Sequence, residues 1–506
     1  MKNGCVYLIG AGPGDPGLLT LKGKKLLAGA DVVIYDRLVG DRILSMANPE
    51  AELIYVGKAS GNHALSQEEI NELLVKKASA GKKVARLKGG DPFLFGRGGE
   101  EALFVREHGI DFEIVPGVTS AIAVPAYAGI PVTHRDSTSS FAVITGHERP
   151  DKTESSIKWK EIANGIGTLV FLMGVENLAF IVDNLVKQGR KPDTPVALVR
   201  WGTLPDQEVL TGTLKDIVQK VADNHFKPPA IIIVGDVVGL RADLSWIEKK
   251  PLWGKKIVVT RSRKQSSVLA ERIAELGGEA IEFPTIEIVK EPDLSELYSC
   301  FEHIEDYSWI LFTSVNTVDI FFTELRSRGL DIRDLKGINI CAIGPATRER
   351  LESRGLKVDI VPAQYQAEGI IAALSPHIKA GQLLLLPRAR GARGILPESI
   401  RQMGAQVDEV FLYRAVQSIC ISEKARNSII NGQVDLITFT SSSTVTNFVG
   451  IVGEKNISRI TDQVKVACIG PITASTAVQH GFKVDITARE YTIEGLVEAI
   501  LTVINN

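Results

Sequence analysis

The sequence VYLIGAGPGDPGLLTLKG, from Val6 to Gly23, determines how the first part of this chain is interpreted. It joins an apolar, strand-like run to a helical pattern through a loop that contains four glycines and two prolines. In parallel α/β folds, ligands bind at the carboxyl ends of strands, and glycines let the backbone approach them closely. Asp15 replaces the third glycine of a dinucleotide-binding fingerprint, and Pro13 and Pro16 remove backbone donors that a phosphate would need. The loop is therefore predicted to bind a ligand without a pyrophosphate.

The composition is that of a large globular protein with nearly balanced charge. The chain has 506 residues, of which 23% are charged, and its formal net charge is −2. One hydrophobic core rarely organises this many residues, so two to four domains are expected. The charge balance argues against a nucleic-acid partner bound through global charge. No apolar run approaches the ~20 residues of a membrane span and no leader precedes the first strand, so we expect a cytoplasmic protein without a membrane partner.

Five cysteines are scattered along the chain, at Cys5, Cys300, Cys341, Cys420 and Cys468. None forms a CxxC pair or another spacing typical of metal ligands, so free thiols in a reducing cytosol are predicted. His134 and His147 invite a metal interpretation, but they lack a second ligand at a suitable spacing. We expect no metal.

The first half alternates short β-branched runs with helical patterns, which predicts α/β lobes with mainly parallel sheets. The run LSWIEKKPLWGKK, at 244–256, interrupts this alternation with charges and a proline, and a new strand follows at once. A first domain is therefore assigned to residues 1–245, a linker to 246–254 and a second domain to 255–506.

The second half contains an internal repeat. The stretch CAIGPATRERLESRGLKVDIV at 341–361 resembles ACIGPITASTAVQHGFKVDIT at 467–487, and the motif FTSVNTV resembles FTSSSTV. The equivalent glycines Gly344 and Gly470 lie 126 positions apart. A repeat of this length is a whole small α/β lobe rather than a solenoid unit. Two similar lobes that face each other would enclose a cleft suited to one large ligand.

Four loops at predicted strand ends of the first half, when they are taken together, resemble the motifs of a known protein family. They are GAGPGDP at 10–16, KGGDPFLFGRGGEE at 88–101, VPGVTSAIAVPAYAGIPVTHRD at 115–136 and TGH at 145–147. This series resembles the tetrapyrrole methylase family, and within it the uroporphyrinogen-III C-methyltransferases, over roughly residues 4–245. The resemblance implies that S-adenosylmethionine binds between two α/β lobes, at about 1–116 and 117–245. A sulfonium donor without phosphate would explain the proline-containing loop.

The resemblance also assigns residues one by one to the cofactor site. Those expected to contact S-adenosylmethionine are Pro13, Gly89, Gly90, Asp91, Leu94, Thr119, Ser120, Met173 and Gly202. Ser120 departs from the family, in which many relatives carry alanine. Met173 would pack on the adenine or methionine part of the cofactor.

Two residues of the first half correspond to the family's acid–base positions. Asp36, which ends VVIYD, matches the residue assigned as proton acceptor, and Lys58 matches the proposed proton donor. Alone, Asp36 would also suit a helix or turn cap, or the ribose-binding acid of a dinucleotide site. Lys58 would equally suit a propionate anchor. Arg97, with Lys88 and Arg86 nearby, would pair with substrate carboxylates or form a solvated basic face.

The second half resembles the uroporphyrinogen-III synthase family. The features that carry this resemblance are VVTRSR, FTSVNTV, AIGPAT, LYRAV, DLITFTSSSTV and CIGPITA. It implies two flavodoxin-like parallel α/β lobes, one at about 255–288 plus 417–506 and the other at about 289–416. The family closes linear hydroxymethylbilane into a ring and inverts its last pyrrole.

Residues that would handle this second substrate lie at predicted strand ends. The resemblance implies that Tyr413 occupies the position of the family's candidate acid. A phenol with an ordinary pKa of about 10 can donate a hydrogen bond at neutral pH. An ordinary interface tyrosine is the alternative. The candidate carboxylate contacts are Arg261, Thr313, Ser314, Arg388, Thr440, Ser441 and Thr473. Helix N-capping would explain the same hydroxyl residues without any substrate.

Together these resemblances predict a bifunctional enzyme of sirohaem and cobalamin precursor synthesis. The second half would make uroporphyrinogen III, and the first half would methylate it twice to precorrin-2. The alternative is a methylase for another tetrapyrrole, with the second half as a non-catalytic substrate-binding module. Relatives of the first half are homodimers, so a homodimer through the methyltransferase domain is expected.

Overall fold

The computed structural model describes residues 4–57, 65–147, 156–261, 263–418 and 422–504. The chain forms two compact units that divide near residue 256, except that the short segment 272–279 and Ile504 group with the first unit.

The first unit begins with a five-stranded parallel sheet. Its strands are β1 (Cys5–Gly10), β2 (Val32–Tyr35), β3 (Glu52–Tyr55), β4 (Lys83–Lys88) and β5 (Asp111–Val115). The accompanying helices are α1 (Leu21–Ala28), α2 (Asp41–Leu44), α3 (Gln67–Ser79) and α4 (Gly98–Glu107). The strand order is β3-β2-β4-β1-β5, and every pair in the sheet is parallel. The carboxyl ends of these strands, and hence the predicted ligand loops, therefore share one edge.

A second five-stranded sheet completes the first unit. Its strands are β6 (Phe141–Thr145), β7 (Thr168–Leu172), β8 (Pro195–Arg200), β9 (Glu208–Thr213) and β10 (Ala230–Val234). Its helices are α5 (Ser120–Tyr127), α6 (Trp159–Gly165), α7 (Leu178–Lys187), α8 (Ile217–Asp223) and α9 (Arg241–Leu244). The order is β6-β7-β10-β8-β9.

The prediction of mainly parallel sheets is wrong for this second sheet. Only β6 and β7 run parallel, whereas β10 is antiparallel to both β7 and β8, and β8 is antiparallel to β9. The physical reason for the last pair is the short turn 201–207, because a parallel crossover needs a dozen or more residues and usually a helix.

Both faces of the first sheet are covered by apolar packing. Val6 and Leu8 of β1 join one buried cluster with Val84 of β4, while Ile9 and Leu87 join the cluster on the opposite face. Near-continuous apolar runs of this kind are typical of parallel strands that are buried on both sides. The sheet is thus a rigid base for the loops at its carboxyl edge.

The segment predicted as a linker, 246–254, packs on the first unit at its beginning. The indole Nε1 of Trp246 donates to the carbonyl of Ala126 over 2.9 Å, and its ring lies edge-on to Tyr127 with 5.4 Å between centroids. Ile247 is buried. These residues are part of a folded domain rather than a free tether.

The second unit contains two further sheets. The strands are β11 (Lys256–Val259), β12 (Glu279–Glu282), β13 (Ile286–Lys290), β14 (Trp309–Phe312), β15 (Asn339–Ala342), β16 (Leu383–Ala389), β17 (Gln406–Gln417), β18 (Leu436–Phe439), β19 (Lys465–Cys468) and β20 (Ile486–Thr487). The first six helices are α10 (Arg263–Glu275), α11 (Ser295–Glu302), α12 (Val315–Ser327), α13 (Pro345–Glu352), α14 (Ala367–Leu374) and α15 (Ile395–Gln402). They are followed by α16 (Glu423–Ile430), α17 (Ser442–Val452), α18 (Ile457–Gln463), α19 (Pro471–Gln479) and α20 (Ile493–Ile504).

The chain begins the first of these sheets with β11 and β12, forms the whole of the other sheet, and then returns to the first sheet with β18. One sheet has the order β12-β11-β18-β19-β20 and takes strands from both ends of the second half, whereas β13-β17-β16-β14-β15 comes from its middle. Since β13 begins at Ile286 and β17 ends at Gln417, the middle sheet extends slightly beyond the limits of 289 and 416 predicted from the sequence.

Candidate active sites

A ligand-sized cavity lies in the first unit, at the carboxyl edge of its parallel sheet. Its volume is about 230 Å³, far above the roughly 10–15 Å³ that one water needs. The loops after β1, β2, β4 and β5 contribute to its walls, together with residues that follow β7 and β8. It is therefore built where ligands bind in open α/β sheets.

All nine residues predicted to contact a methyl donor line this one cavity. They are Pro13, Gly89, Gly90, Asp91, Leu94, Thr119, Ser120, Met173 and Gly202. Sequence reasoning missed much of the apolar wall, including Leu38, Phe95 and Trp201. Phe95 and Trp201 adjoin the predicted residues Leu94 and Gly202, which is a signal that could have found them, whereas Leu38 is far in the chain from all nine predicted cofactor residues.

Three glycines allow the cavity loops to approach one another closely. A Cβ added to Gly117 would lie 2.2 Å from the carbonyl oxygen of Gly90, and one added to Gly10 would lie 2.5 Å from the Cα of Gly117. The loops after β1 and β4 are also paired, because Gly12 and Gly90 exchange backbone hydrogen bonds of 3.1 and 2.7 Å. No residue with a side chain fits at Gly10 or Gly117 without moving a loop.

Asp91 uses its carboxylate to hold two of these loops together. Its Oδ1 accepts from the backbone amides of Phe93 at 2.8 Å and Leu94 at 3.1 Å. Its Oδ2 accepts from the amide of Gly117 at 3.0 Å. Asp91 thus shapes the wall of the cavity through backbone contacts.

Backbone strain is concentrated around the same cavity. Phe95, Met173 and Trp201 line it with φ values of 51°, 57° and 49°, in the left-handed region that residues with a side chain rarely adopt. Such conformations persist only where the surroundings enforce them, and they cluster at ligand sites.

A hydrogen-bonded contact links the first loop to the second sheet of the unit. The hydroxyl of Tyr127 donates to Oδ2 of Asp15 over 2.5 Å, and the amide of Asp15 donates to the hydroxyl of Thr203 over 3.2 Å. Burial, reinforced by the hydrogen bond to Asp15, raises the pKa of Tyr127. Asp15, which breaks the dinucleotide fingerprint, therefore has a structural role across the cavity.

Asp36 lies immediately beyond β2, with its side chain 29% exposed. Its Oδ1 accepts from the amide of Leu38 over 3.1 Å, and Leu38 lines the cavity. Its Oδ2 lies 3.8 Å from Nη2 of Arg86. One oxygen thus closes a turn, as the capping interpretation expected, while the other forms an ion pair with the buried Arg86.

A buried charge cluster stands behind Asp36. Glu101 is fully buried, and its Oε1 accepts from Arg86 Nε at 3.1 Å, Lys88 Nζ at 2.8 Å and Gln67 Nε2 at 3.2 Å. Burial, with the nearby Arg86 charge, lowers the pKa of Lys88. Arg86 and Lys88 are therefore buried against Glu101 and do not form a solvated basic face with Arg97.

Two charged candidates of the first unit remain, Lys58 and Arg97, and the structure describes only Arg97. Lys58 lies outside the described residues. Arg97 is half-exposed, and its Nη2 forms an ion pair with Glu100 at 2.6 Å. Its guanidinium remains accessible to solvent beside the loop that carries Phe95.

In the second unit the structure brings two predicted residues together. The hydroxyls of Tyr413 and Ser314 lie 2.9 Å apart, and Ser314 caps α12 by accepting from the amide of Thr317 over 3.1 Å. Tyr413 is 6% exposed. The phenol is therefore held at the end of a helix, next to the carboxyl end of β14.

The equivalent serine of the repeat has the same local role. Ser441 caps α17 by accepting from the amide of Thr444 over 3.3 Å. Both serines are therefore N-caps, which is the alternative considered from the sequence. Both also lie just beyond a strand, at the carboxyl edge of its sheet. Thr313 and Thr440 precede them and are half-buried.

Two predicted substrate contacts are turned away from solvent. Arg388 is 4% exposed. It donates to Glu409 over 3.0 Å and to the carbonyl of Arg393 over 2.8 Å. Thr473 is only 5% exposed and is packed within its lobe. Burial also lowers the pKa of Arg261.

The carboxyl edges of the two sheets of the second unit adjoin each other. β12 is followed after only three residues, 283–285, by β13, whose Ile286 pairs with Gln417 at the carboxyl end of β17. Three residues span at most about 10 Å. The hydroxyl of Thr285 donates to the carbonyl of Thr260, just beyond β11, over 3.0 Å. The ends of both sheets therefore border a common region.

The described segments were also searched for metal sites and membrane helices. Among these residues, no group of three or more His, Cys, Asp or Glu side chains is arranged to hold a metal ion. None of the described helices combines the length and apolar character needed to cross a bilayer.

Comparison with known families places both halves of the chain. A family model described as "Tetrapyrrole (Corrin/Porphyrin) Methylases" matches residues 5–218. A second model, "Uroporphyrinogen-III synthase HemD", matches residues 267–498. The two matches do not overlap, and they fall on opposite sides of the division near residue 256.

Individual relatives match over different shares of the chain. The "Porphyrin biosynthesis protein HemD" of Ruminiclostridium josui is 41% identical over 503 residues, covering 99% of both chains. The "Uroporphyrinogen-III C-methyltransferase" of Bacillus subtilis is 45% identical over 74% of this chain and 76% of its own. The "S-adenosyl-L-methionine-dependent uroporphyrinogen III methyltransferase" of Methanosarcina barkeri is 56% identical over 47% of this chain and 93% of its own. The chain belongs to the tetrapyrrole methylase family through its first half and to the uroporphyrinogen-III synthase family through its second, and it joins a C-methyltransferase domain to a synthase domain.

Proposed function

We propose that this chain is a bifunctional enzyme that cyclises hydroxymethylbilane to uroporphyrinogen III and methylates that product twice, giving precorrin-2. The observation that carries the proposal is the convergence of all nine candidate cofactor residues on one cavity, with Asp36 beside its wall. The match of the second half to the synthase family favours this function over a non-catalytic substrate-binding module.

The cavity suits S-adenosylmethionine in shape and chemistry. Gly10 and Gly117 let the loops after β1, β4 and β5 pack closely, because a Cβ on either glycine would collide with a neighbouring loop. Met173 and Leu94 supply apolar wall. When bound, the cofactor supplies an electrophilic methyl group. The residues that would hold it are the nine named above, chiefly through backbone and apolar contacts.

The chain must then align an electron-rich macrocycle and remove one proton from the methylated carbon. Asp36 is proposed to accept that proton through Oδ2, because Oδ1 already accepts from Leu38. Lys58 is proposed as proton donor or as propionate anchor. Arg97 is proposed to pair with a substrate carboxylate, since its side chain is half-exposed.

Substitution of Asp91 tests the cofactor cavity. Asp91→Ala removes the acceptor of three backbone amides, each of which contributes about 0.5–1.5 kcal/mol. We expect the Kd for S-adenosylmethionine to rise at least about tenfold in equilibrium binding, with ring closure unchanged. Asp111→Ala, at the opposite end of β5, is the matched control. Unaltered binding by Asp91→Ala would show that this loop does not form the cofactor site.

The second unit is proposed to close the ring by holding a flexible polycarboxylate. The Tyr413 phenol would donate a hydrogen bond to the departing hydroxyl, and Ser314 holds that phenol in place. Thr313, Thr440 and Ser441 are proposed to contact substrate carboxylates at the sheet edges. Arg261, Arg388 and Thr473 keep that proposed role; Arg388 and Thr473 are largely buried, as Tyr413 is.

Substitution of Tyr413 tests the phenol separately from the fold. Tyr413→Phe retains the ring and loses the donor, so kcat for ring closure is expected to fall about tenfold, the upper range for one hydrogen bond. Methyl transfer to added uroporphyrinogen III should remain at the level of the unsubstituted chain. Unchanged kcat would leave Tyr413 as an ordinary interface tyrosine.

The coupled reaction tests the whole function. The purified chain is incubated with hydroxymethylbilane, with and without methyl-labelled S-adenosylmethionine, and the products are separated by isomer and weighed by mass spectrometry. We expect the inverted ring without the donor. With the donor we expect a product that carries two added methyl groups and is heavier by two CH2 units, because each transfer also releases one proton. An unlabelled macrocycle would refute the methylase assignment, and only the non-inverted ring would refute the synthase assignment.

The biological setting is part of the same proposal. The product would serve sirohaem and cobalamin synthesis in the cytoplasm. The resemblance of the first half also supports a homodimer through the methyltransferase domain, which light scattering of the full chain tests directly.

A further inference from the structure

Two exposed tyrosines occupy equivalent positions of the internal repeat in the second unit. Tyr365 and Tyr491 are 126 positions apart, as are Gly344 and Gly470. Their side chains are 55% and 64% exposed. Neither hydroxyl bonds to another residue in the part of the chain that the structure describes. Both copies of the repeat therefore present an exposed aromatic ring at the same position.

Each tyrosine ring packs on the glycine of its own lobe. A Cβ on Gly344 would lie 3.3 Å from the ring of Tyr365, and one on Gly470 would lie 3.1 Å from that of Tyr491. The φ angles of these glycines, −169° and −174°, are extended and open to any residue. The glycines are therefore explained by the space that the rings occupy rather than by backbone conformation.

Both rings stand at the carboxyl edges of their sheets. Gly344 follows β15, which pairs with β14, and β14 leads to Ser314 and its hydrogen bond to Tyr413. In the other lobe, Gly470 follows β19, which pairs with β18, and β18 leads to Ser441. β15 is at the edge of its sheet opposite β13, and β19 lies three strands from β12, so a ligand that contacts both rings must extend across the region that the two carboxyl edges border.

We propose that Tyr365 and Tyr491 are paired aromatic platforms on which two pyrrole rings of the linear tetrapyrrole stack. This inference rests on the proposed synthase function. Pyrroles are flat and electron-rich, and aromatic rings pair favourably with such faces. A flexible chain of four rings must be held in one conformation for the inverted closure to prevail. Two rigid platforms, one in each lobe, supply such positions at low entropic cost.

The experiment uses the full chain with hydroxymethylbilane. Variants Tyr365→Ala, Tyr491→Ala and the double alanine are compared with the corresponding Tyr→Phe variants. Val478→Ala, which alters an exposed residue of α19, is the matched control. Ring closure is followed as kcat/KM and as the ratio of inverted to non-inverted ring after oxidation, and calorimetry reports the stability of every variant.

Loss of the ring, but not of the hydroxyl, is expected to impair closure. Each alanine variant should lower kcat/KM about tenfold, the upper range for one aromatic contact, and the double variant should raise the non-inverted fraction. The phenylalanine variants and Val478→Ala should stay within about twofold. Alanine variants with unchanged kcat/KM and isomer ratio would overturn the platforms alone, as would phenylalanine variants as impaired as alanine. An unsubstituted chain that forms no inverted ring would overturn the synthase function itself.

Discussion

Asp36→Asn is expected to slow methyl transfer by about a hundredfold or more, because a positioned general base contributes about 10²–10⁴ to such a step. An amide cannot accept the proton that leaves the methylated carbon. In the unsubstituted protein the backbone amide of Leu38 donates to the Asp36 carboxylate over 3.1 Å. The amide oxygen of asparagine can accept the same hydrogen bond, so the turn is retained. The loss should therefore appear in kcat and leave the KM for the methyl donor nearly unchanged.

The second activity and a matched substitution serve as controls. Ring closure of hydroxymethylbilane by the Asp36→Asn chain should equal that of the unsubstituted protein. Asp111→Asn changes an exposed carboxylate at the amino end of β5, in the same sheet but away from the cavity, and should leave both activities unchanged. Equal loss of both activities in Asp36→Asn would indicate misfolding, and full methyl transfer would contradict Asp36 as proton acceptor.

The cavity residues of the first unit could be predicted because their loops have distinctive local sequences. Gly89, Gly90 and Asp91 follow a buried strand directly, and strand ends of a parallel sheet share an edge. The order of the motifs and the alternation of strands and helices predicted a ligand site at this edge. The resemblance then selected the residues, and the structure brings them to one cavity.

Partners from distant parts of the chain could not be predicted in this way. Asp15 and Tyr127 are separated by 112 positions, and neither periodicity nor spacing indicates their hydrogen bond. For the same reason Arg86 and Lys88 suggested a basic surface. Their side chains point into the unit, where Glu101 from α4 neutralises part of their charge.

In the second unit, the sequence could not predict the direction in which individual side chains point at a strand end. Arg388 and Tyr413 lie on neighbouring strands, with a register irregularity beside Arg388. A one-residue change in register reverses the face that a side chain occupies. The sequence alone predicted that both residues lie at the edge of the sheet. Only the structure shows that Arg388 is buried and forms an ion pair with Glu409.

Glu101→Gln is expected to destabilise the first unit by about 3–5 kcal/mol, the usual cost of removing one partner from a buried ion pair. Glutamine preserves the shape of the side chain and loses its charge. Arg86 and Lys88, both at most 6% exposed, would then lack a buried anion, and Oδ2 of Asp36 lies 3.8 Å from Arg86. Calorimetry should show the melting transition of the first unit lowered by roughly 10 °C, with that of the second unchanged.

Two further variants show whether charge is the cause of this loss. Glu107→Gln alters an exposed carboxylate on the same helix, α4, and should change stability by no more than about 0.5 kcal/mol. Adding Lys88→Met to Glu101→Gln removes one of the two uncompensated cations, so the double variant should recover part of the lost stability. Burial already lowers the pKa of Lys88, which shows that its charge is poorly solvated there. If the first unit of the Glu101→Gln chain melts at the same temperature as that of the unsubstituted protein, Glu101 does not stabilise these cations.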